Sequence, residues 1–208
     1  IAPKAAHEPF TPAPWYADHW EADWPNQEPR TPNWNATFDR RAKHHGNIAT
    51  NPMLTASAAA VIAGAFRNRW RTLMSVDDIV EAVVAACERN RVAASTYFVF
   101  TSDHGFQLGQ FNVPMDKRHV YDWNTRIPLL VRGPGVVPGL TLKQPATLVD
   151  LAPTFLAMAG IHRPTAMDGR SLLPFLVEPS APDLPTATAR FLAATGSATQ
   201  AAAAWRDA

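Results

Sequence analysis

The sequence predicts an α/β fold, in which a mixed sheet is flanked by helices. Apolar residues recur with helical period from Met53 to Arg91, two short apolar runs ended by turn residues follow, and a short helical signal comes after them. Helix, strand, strand and helix in that order indicate an α/β sheet.

The segment before the first helix, residues 3–52, is rich in proline and tryptophan. Its prolines would break a helix or a central strand, so we predict ordered loops. Its tryptophans carry too much apolar surface for a solvated linker, and we expect them to pack on a larger body rather than to stack on a ligand. They are Trp15, Trp20, Trp24 and Trp34.

The helical region has an apolar stripe that we expect to face the core. Ser75, Asp77 and Asp78 could cap a second helix, but the stripe runs through them, and one long helix is equally compatible. The stripe comprises Ile62, Phe66, Trp70, Leu73, Val76, Ile79, Val80, Val83, Val84 and Cys87.

Two strands and a short helix follow. We predict strands over Thr96 to Phe100 and Ile127 to Val131, the second ended by the turn residues Gly133 to Gly135. A helix over Leu151 to Gly160 would have Asp150 as its N-cap and the glycine as its stop.

Bulk composition excludes several functions. A chain of 208 residues with 47% apolar residues suits one domain or a large piece of one. A net charge of +1 without basic clusters argues against nucleic acid as a partner. No apolar run approaches the ~18 residues of a membrane span. The sequon Asn35-Ala36-Thr37 would fit a secretory route but is common by chance.

Asp103 and His104 directly follow the first predicted strand. Open α/β sheets bind ligands beyond the carboxyl ends of their strands. A carboxylate and an imidazole there can both reach a divalent ion, and Gly105 permits the sharp turn that aims them. Taken alone, the same residues also suit an ordinary turn.

The stretch "FTSDHGFQLGQFNVPMDKRHVYDWNTRIPLLVRGPG" resembles the sulfatases of the alkaline phosphatase superfamily, closest to their N-acetylglucosamine-6-sulfatase branch. "IAPKAAHEPFTPAP", "PRTPNWN", "RTLMSVDDIVE", "LVDLAPTFLAMAGI" and "MDGRSLLPFL" resemble further landmarks in family order. The resemblance covers residues 1–177 and implies the carboxy-side part of a catalytic domain with a partial sulfatase fold. Residues 178–208 form an Ala/Thr/Pro-rich tail with little to bury, which we expect to be disordered or loosely helical.

The resemblance also implies roles for four residues. Asp103 matches a calcium-binding aspartate and His104 the neighbouring ligand. Lys117 matches the lysine that holds the sulfate, and His7 the histidine that contacts the ester and assists the leaving oxygen. The implied substrate is a sulfated glycan or an aryl sulfate, and the implied location is lysosomal, periplasmic or secreted. The oligomeric state stays open.

The family's nucleophile is a formylglycine made from Cys or Ser in a Cys-x-Pro/Ala-x-Arg motif. Cys87 to Arg91 match this motif only by coincidence, because Arg89 stands where Pro or Ala should be. Asp77 and Asp78 cannot easily share an ion, since adjacent helical positions point about 100° apart. We therefore expect the formylglycine and further calcium ligands upstream of this sequence.

Two rival functions remain. A phosphate or phosphonate ester hydrolase of the same superfamily would use the same metal, lysine and histidine, and a truncated chain could be non-catalytic. Other polar candidates have structural explanations: Ser102 would hydrogen-bond its turn, and His44, His45 and His119 would be solvated surface residues.

Overall fold

A computed structural model describes residues 1–20, 30–164 and 166–177. Trp24 and the predicted tail lie outside these ranges. The chain divides into a first unit, residues 1–91 and 102–128, and a second unit, residues 92–101 and 129 onwards. The first unit contains α1 (Phe38–Arg41), α2 (Gly46–Ala49), α3 (Ala56–Arg89) and α4 (Asp122–Thr125); the second contains β1 (Phe98–Thr101), β2 (Leu129–Arg132), α5 (Leu151–Met158) and α6 (Leu173–Val177).

The helical region forms a single helix, α3, of 34 residues. Thr55 caps its start by accepting a hydrogen bond from the Ala58 N–H at 3.2 Å. Its middle is tied to the loop before it, because the Tyr16 hydroxyl donates to both oxygens of Asp78, at 2.8 and 3.0 Å. That hydrogen bond raises the pKa of Tyr16. Asp78 is therefore a structural residue.

The apolar stripe of α3 is only partly buried. Ile62 and Val76 lie in the core, whereas Trp70 is 43% exposed and Leu73 and Val80 are also exposed. The prediction that the whole stripe faces the core is wrong for these three. Among the helices and strands of the described chain, α3 contacts only the short 3₁₀ turn Pro14–Tyr16, so most of its length has no regular partner.

The first unit has a small aromatic core beside α1 and α2. It consists of Ile48, Phe111 and Val113, with Tyr121 and Trp123 packed against it. The two helices are joined by the buried Arg41, which donates to the carbonyl oxygens of Ala36, Ile48 and Ala49 at 2.9–3.2 Å. A buried guanidinium with three carbonyl acceptors is well satisfied.

The expectation that the tryptophans pack inward is confirmed for one and wrong for another. Trp34 is half-buried, and its Nε1–H donates to the Leu108 carbonyl oxygen at 3.0 Å. Gly109, at φ +92°, lies directly against this indole, where a Cβ would collide with Nε1. Trp15 is 71% exposed.

The second unit contains an antiparallel strand pair. β1 and β2 run in register from Phe98 opposite Arg132 to Thr101 opposite Leu129. The described part of the chain thus contributes two antiparallel strands to the α/β fold.

The predicted carboxy-side helix is present as α5, and Gly160 ends it at φ +67°. Asp150 does not cap α5 with its side chain. Its carboxylate accepts from the Thr147 N–H and hydroxyl and from the Arg170 N–H, at 2.9–3.0 Å. No helix in the described ranges combines the length and apolarity needed to cross a membrane.

Candidate active site

His7 lies in a tight turn near the start of the first unit. Its backbone N–H donates to the Lys4 carbonyl oxygen at 2.8 Å, and its own carbonyl oxygen accepts from the Phe10 N–H at 3.1 Å. The imidazole Nδ1 lies 3.0 Å from the Glu8 carbonyl oxygen. Because a carbonyl can only accept, Nδ1 carries a hydrogen there and Nε2 is the nitrogen that points away from the turn.

Lys117 is presented by a loop that Asp116 organises. Asp116 Oδ1 accepts from the Lys117 and Arg118 backbone N–H groups, at 2.6 and 2.9 Å. The Arg118 guanidinium donates to both carboxylate oxygens, at 3.0 and 2.9 Å. These bonds, led by that from the Arg118 side chain, hold the pKa of Asp116 well below its usual range. The loop is therefore tied around one ionised carboxylate.

The two loops meet at the side chains of His7 and Lys117. Lys117 Nζ lies 3.2 Å from His7 Nε2, across 110 positions of sequence. With Nδ1 protonated, Nε2 has a lone pair, and the lysine ammonium donates to it. The arrangement places an ammonium and an imidazole where they can exchange a proton.

Asp103 and His104 come directly after β1 in the chain. Asp103 Oδ1 accepts from the His104 N–H at 3.0 Å, and the Ser102 hydroxyl donates to the His104 carbonyl oxygen at 2.9 Å. Ser102 thus has the turn-stabilising role expected of it. The little burial that Asp103 has raises its pKa, but attraction to His104 and the hydrogen bonds that the carboxylate accepts from the His104 N–H and the Ser102 hydroxyl outweigh it, so that the pKa lies below its usual value.

The Asp103 and His104 side chains fit one edge of a cation site. Asp103 Oδ2 lies 3.3 Å from His104 Nε2, about the spacing of adjacent ligands around one cation with bonds near 2.4 Å. His104 Nδ1 lies 2.7 Å from the Gly105 carbonyl oxygen, so Nδ1 carries a hydrogen and Nε2, which faces Asp103, is the nitrogen that could bind a cation.

The described residues do not complete such a site. Calcium takes about six to eight ligands, most of them oxygens. In the ranges that the structure describes, no group of three or more His, Cys, Asp and Glu could hold a metal ion. Asp103 and His104 can therefore supply only part of a metal centre.

One cavity of about 550 Å³, entirely within the first unit, brings the four predicted residues together. Its lining has four Lys and Arg side chains and three Asp and Glu side chains. The lining includes His7, Asp103, His104 and Lys117, and also Lys4, Glu8, Phe10, Arg69, Ser102, Phe106, Asp116 and Arg118.

Sequence reasoning missed two of these residues. Arg69 is one of three arginines at alternate positions of α3, and periodicity alone does not show which of them reaches a cavity. Asp116 precedes Lys117 directly, a signal that could have identified it as the residue that holds the loop.

The prediction of solvated histidines is wrong for two of them. His44 Nδ1 lies 3.1 Å from the Tyr121 hydroxyl, and its ring centroid lies 4.6 Å from that of Phe111. His119 has an 18% exposed side chain and lies 3.9 Å from Asp116. Both rings are partly buried, and the contacts of His44 with Tyr121 and of His119 with His45 join segments whose proximity sequence spacing does not reveal.

The comparison with protein families decides the assignment. The sequence model described as Sulfatase matches residues 1–161. The chain belongs to the sulfatase family. Among curated sulfatases it is 41% identical over 177 residues to N-acetylglucosamine-6-sulfatase from Homo sapiens, covering 85% of this chain and 31% of that protein. It is also 44% identical over 109 residues to the extracellular sulfatase SULF-1 homolog from Drosophila melanogaster, covering 52% and 10%.

Solved structures agree with the sulfatase fold. A protein in complex with its substrate D-glucosamine-2-N,6-O-disulfate is 33% identical, with a TM-score of 0.55, over 58% of this chain and 24% of that one. The phosphonate monoester hydrolase from Silicibacter pomeroyi is 27% identical, with a TM-score of 0.64, over 83% and 36%. This sulfatase chain spans about a third of the length of the curated N-acetylglucosamine-6-sulfatases it matches.

Proposed function

We propose that the protein containing this chain hydrolyses sulfate monoesters, and that its substrate is a sulfated amino sugar or related glycan. The observation that carries the proposal is the 3.2 Å contact of Lys117 with His7, in a cavity that Asp103 and His104 also line. The 41% identity to N-acetylglucosamine-6-sulfatase supports the substrate class. Aryl sulfates would serve as synthetic substrates.

Lys117 and His7 would act on opposite parts of the ester. The lysine ammonium stabilises the negative charge on the non-bridging sulfate oxygens. As the bond between sulfur and the bridging oxygen breaks, that oxygen needs a proton, which an imidazole can deliver near neutral pH. The Nδ1–H bond to Glu8 fixes the ring, so that Nε2 is the atom that would pass on the proton. That proton would come from the Lys117 ammonium in contact with Nε2, and the amine would regain one from water after turnover.

Asp103 and His104 would hold a divalent cation, which we propose is Ca²⁺. When bound, the cation supplies positive charge to the sulfate oxygens and polarises sulfur. The turn would orient both ligands, because Asp103 accepts hydrogen bonds from the Ser102 hydroxyl and the His104 N–H, and His104 Nδ1 donates to the Gly105 carbonyl oxygen.

We propose that the nucleophile, a formylglycine, comes from a part of the protein outside this sequence. Cys87 lies on α3, is half-buried, and is not among the residues that line the cavity. We also propose a lysosomal, periplasmic or secreted location, in keeping with relatives described as extracellular sulfatases.

The deciding experiment compares two proteins on a chromogenic aryl sulfate with calcium present. One is the 208-residue chain, and the other is the longest reading frame that contains it. Activity only in the longer protein, retained in Cys87→Ala, supports the proposal. Activity in the short chain that Cys87→Ala abolishes would contradict the placement of the nucleophile, and an inactive longer protein would favour a non-catalytic role.

Phosphonate ester hydrolysis is the second candidate, favoured by the match to the phosphonate monoester hydrolase over 83% of the chain. Lysine, histidine and a metal would serve a phosphoryl group as well as a sulfuryl group. An aryl monoester of a phosphonic acid and an aryl phosphate, assayed beside the aryl sulfate, separate the two. A higher kcat/KM for the phosphonate would overturn the sulfatase assignment.

A further inference from the structure

Arg69 is a positively charged residue that lines the cavity and has no role in the proposed reaction. It lies near the middle of α3, and its side chain lines the same cavity as His7, Asp103 and Lys117. Its guanidinium carbon lies 4.5 Å from the ring centroid of Phe106 and 5.8 Å from that of Phe10. The two rings meet edge to face, with centroids 5.9 Å apart.

These aromatic contacts fix the guanidinium without using its hydrogen-bond donors. A cation–π contact involves the charge and the ring face, and engages no acceptor oxygen. Within the described ranges, no carboxylate pairs with the Arg69 side chain and no acceptor receives its N–H groups. Nor is any of its nitrogens both buried and unpartnered, so the donors are accessible on a side chain that lines the cavity.

The two rings also place Arg69 relative to the candidate residues. Phe10 is three positions after His7, in the turn that its N–H closes onto the His7 carbonyl oxygen. Phe106 is two positions after His104. Arg69 therefore contacts the loop of His7 and the loop of His104, two of the three loops that carry the proposed chemistry. Partial burial lowers the pKa of Arg69.

We propose that Arg69 is a specificity residue that binds a second acidic group of the substrate, a sulfate or carboxylate other than the ester that is hydrolysed. This inference rests on the proposed sulfatase function. A guanidinium has planar, paired donors that match both oxyanions with two parallel hydrogen bonds. Lys117 would hold the reacting sulfate and Arg69 would select substrates that carry an additional negative charge.

A binding experiment tests this without requiring turnover. Benzenesulfonate and benzene-1,4-disulfonate are titrated into the longest protein that contains this chain by calorimetry. We expect the disulfonate to bind about tenfold more tightly, as a charge-assisted hydrogen-bonded contact implies. In Arg69→Gln the preference should disappear while the affinity for benzenesulfonate stays within about twofold.

Two further variants distinguish a role of Arg69 in ligand binding from a purely structural role. Arg69→Lys keeps the charge without the paired donors and should retain part of the preference, whereas Arg89→Gln removes an exposed arginine of the same helix and should change nothing. Equal weakening of both probes in Arg69→Gln would overturn the proposal and leave Arg69 as a brace for the loops. An unchanged preference in Arg69→Gln would overturn it as well.

The outcome is separable from that of the proposed function. Failure of aryl sulfate hydrolysis with an intact Arg69-dependent preference would refute the sulfatase activity alone. Hydrolysis of aryl sulfate without that preference would refute the role of Arg69 alone.

Discussion

Arg118 holds Asp116 at two points, with Nε donating to Oδ1 at 3.0 Å and Nη2 donating to Oδ2 at 2.9 Å. The same carboxylate accepts the backbone N–H of Lys117. We expect Asp116→Asn to loosen this loop, because an amide has only one acceptor oxygen. Misplacing Lys117 should lower kcat/KM for an aryl sulfate by about tenfold. Steady-state kinetics of the longest protein that contains this chain measure this, with Asp122→Asn, an exposed acid on α4, as the matched control.

The pH dependence of stability should also involve Asp116. Its pKa lies below the ordinary 3.8 in the folded chain, so its contribution is fully present above that value and is lost as the pH falls through the folded pKa. Thermal unfolding midpoints should therefore fall more steeply below about pH 4 in the wild type than in Asp116→Asn. Parallel curves would show that the carboxylate is not linked to folding.

His7 and Lys117 should behave as a coupled pair. Lys117→Met should lower kcat/KM by about 10²–10³, since it removes the charge that we propose stabilises the transition state. Because Nζ contacts Nε2, the double variant with His7→Gln should lose less than the two single losses combined. A double-mutant cycle in aryl sulfate kinetics measures this, and Lys43→Met serves as an exposed control. Strict additivity would mean that the contact has no role in catalysis.

The proposed calcium ligands should respond differently to substitution. Asp103→Asn removes a negative charge from the site and should weaken calcium binding by about tenfold or more. His104→Asn replaces an imidazole nitrogen by an amide oxygen, which calcium prefers, and should keep or improve the affinity. Calcium-dependent shifts of the unfolding midpoint report both. Weaker calcium binding in His104→Asn with no change in Asp103→Asn would contradict the assignment.

Gly105 should tolerate no side chain. A Cβ on this residue would collide with the Trp123 carbonyl oxygen and the backbone beside it. Its own N–H donates to the Asn124 carbonyl oxygen at 2.8 Å, so the two segments cannot easily separate. Gly105→Ala should reduce the free energy of unfolding by about 1–3 kcal/mol, as measured by denaturant titration. Gly46→Ala, where a Cβ meets nothing, is the control.

Local patterns predicted much of the fold. The period of α3, the apolar runs of β1 and β2 and the glycine after α5 were all readable because they depend on neighbours in sequence. The burial of individual side chains on α3 could not be predicted, because the exposure of Trp70 depends on which distant segments pack against the helix. His44 likewise lies against Tyr121, 77 positions away.

The site was partly predictable for a related reason. Family resemblance selected His7, Asp103, His104 and Lys117, and the structure brings all four to one cavity. Resemblance says nothing about Arg69, whose position depends on the rotation of α3 and on two aromatic rings from separate loops. The roles of these four residues and of Arg69 in binding and catalysis remain predictions.

The charges that line the cavity also bear on how fast a substrate arrives. Lys4, Arg69, Lys117 and Arg118 outnumber Glu8, Asp103 and Asp116, and Arg118 cancels Asp116 at close range. A concave wall with net positive charge attracts anions from beyond contact distance, and a bound cation would add to it. The association rate of sulfated ligands should therefore decline as salt shortens the reach of this field to about 8 Å at physiological ionic strength. The charged side chains of the cavity should therefore raise the rate at which anionic ligands bind, in addition to any part they have in the reaction.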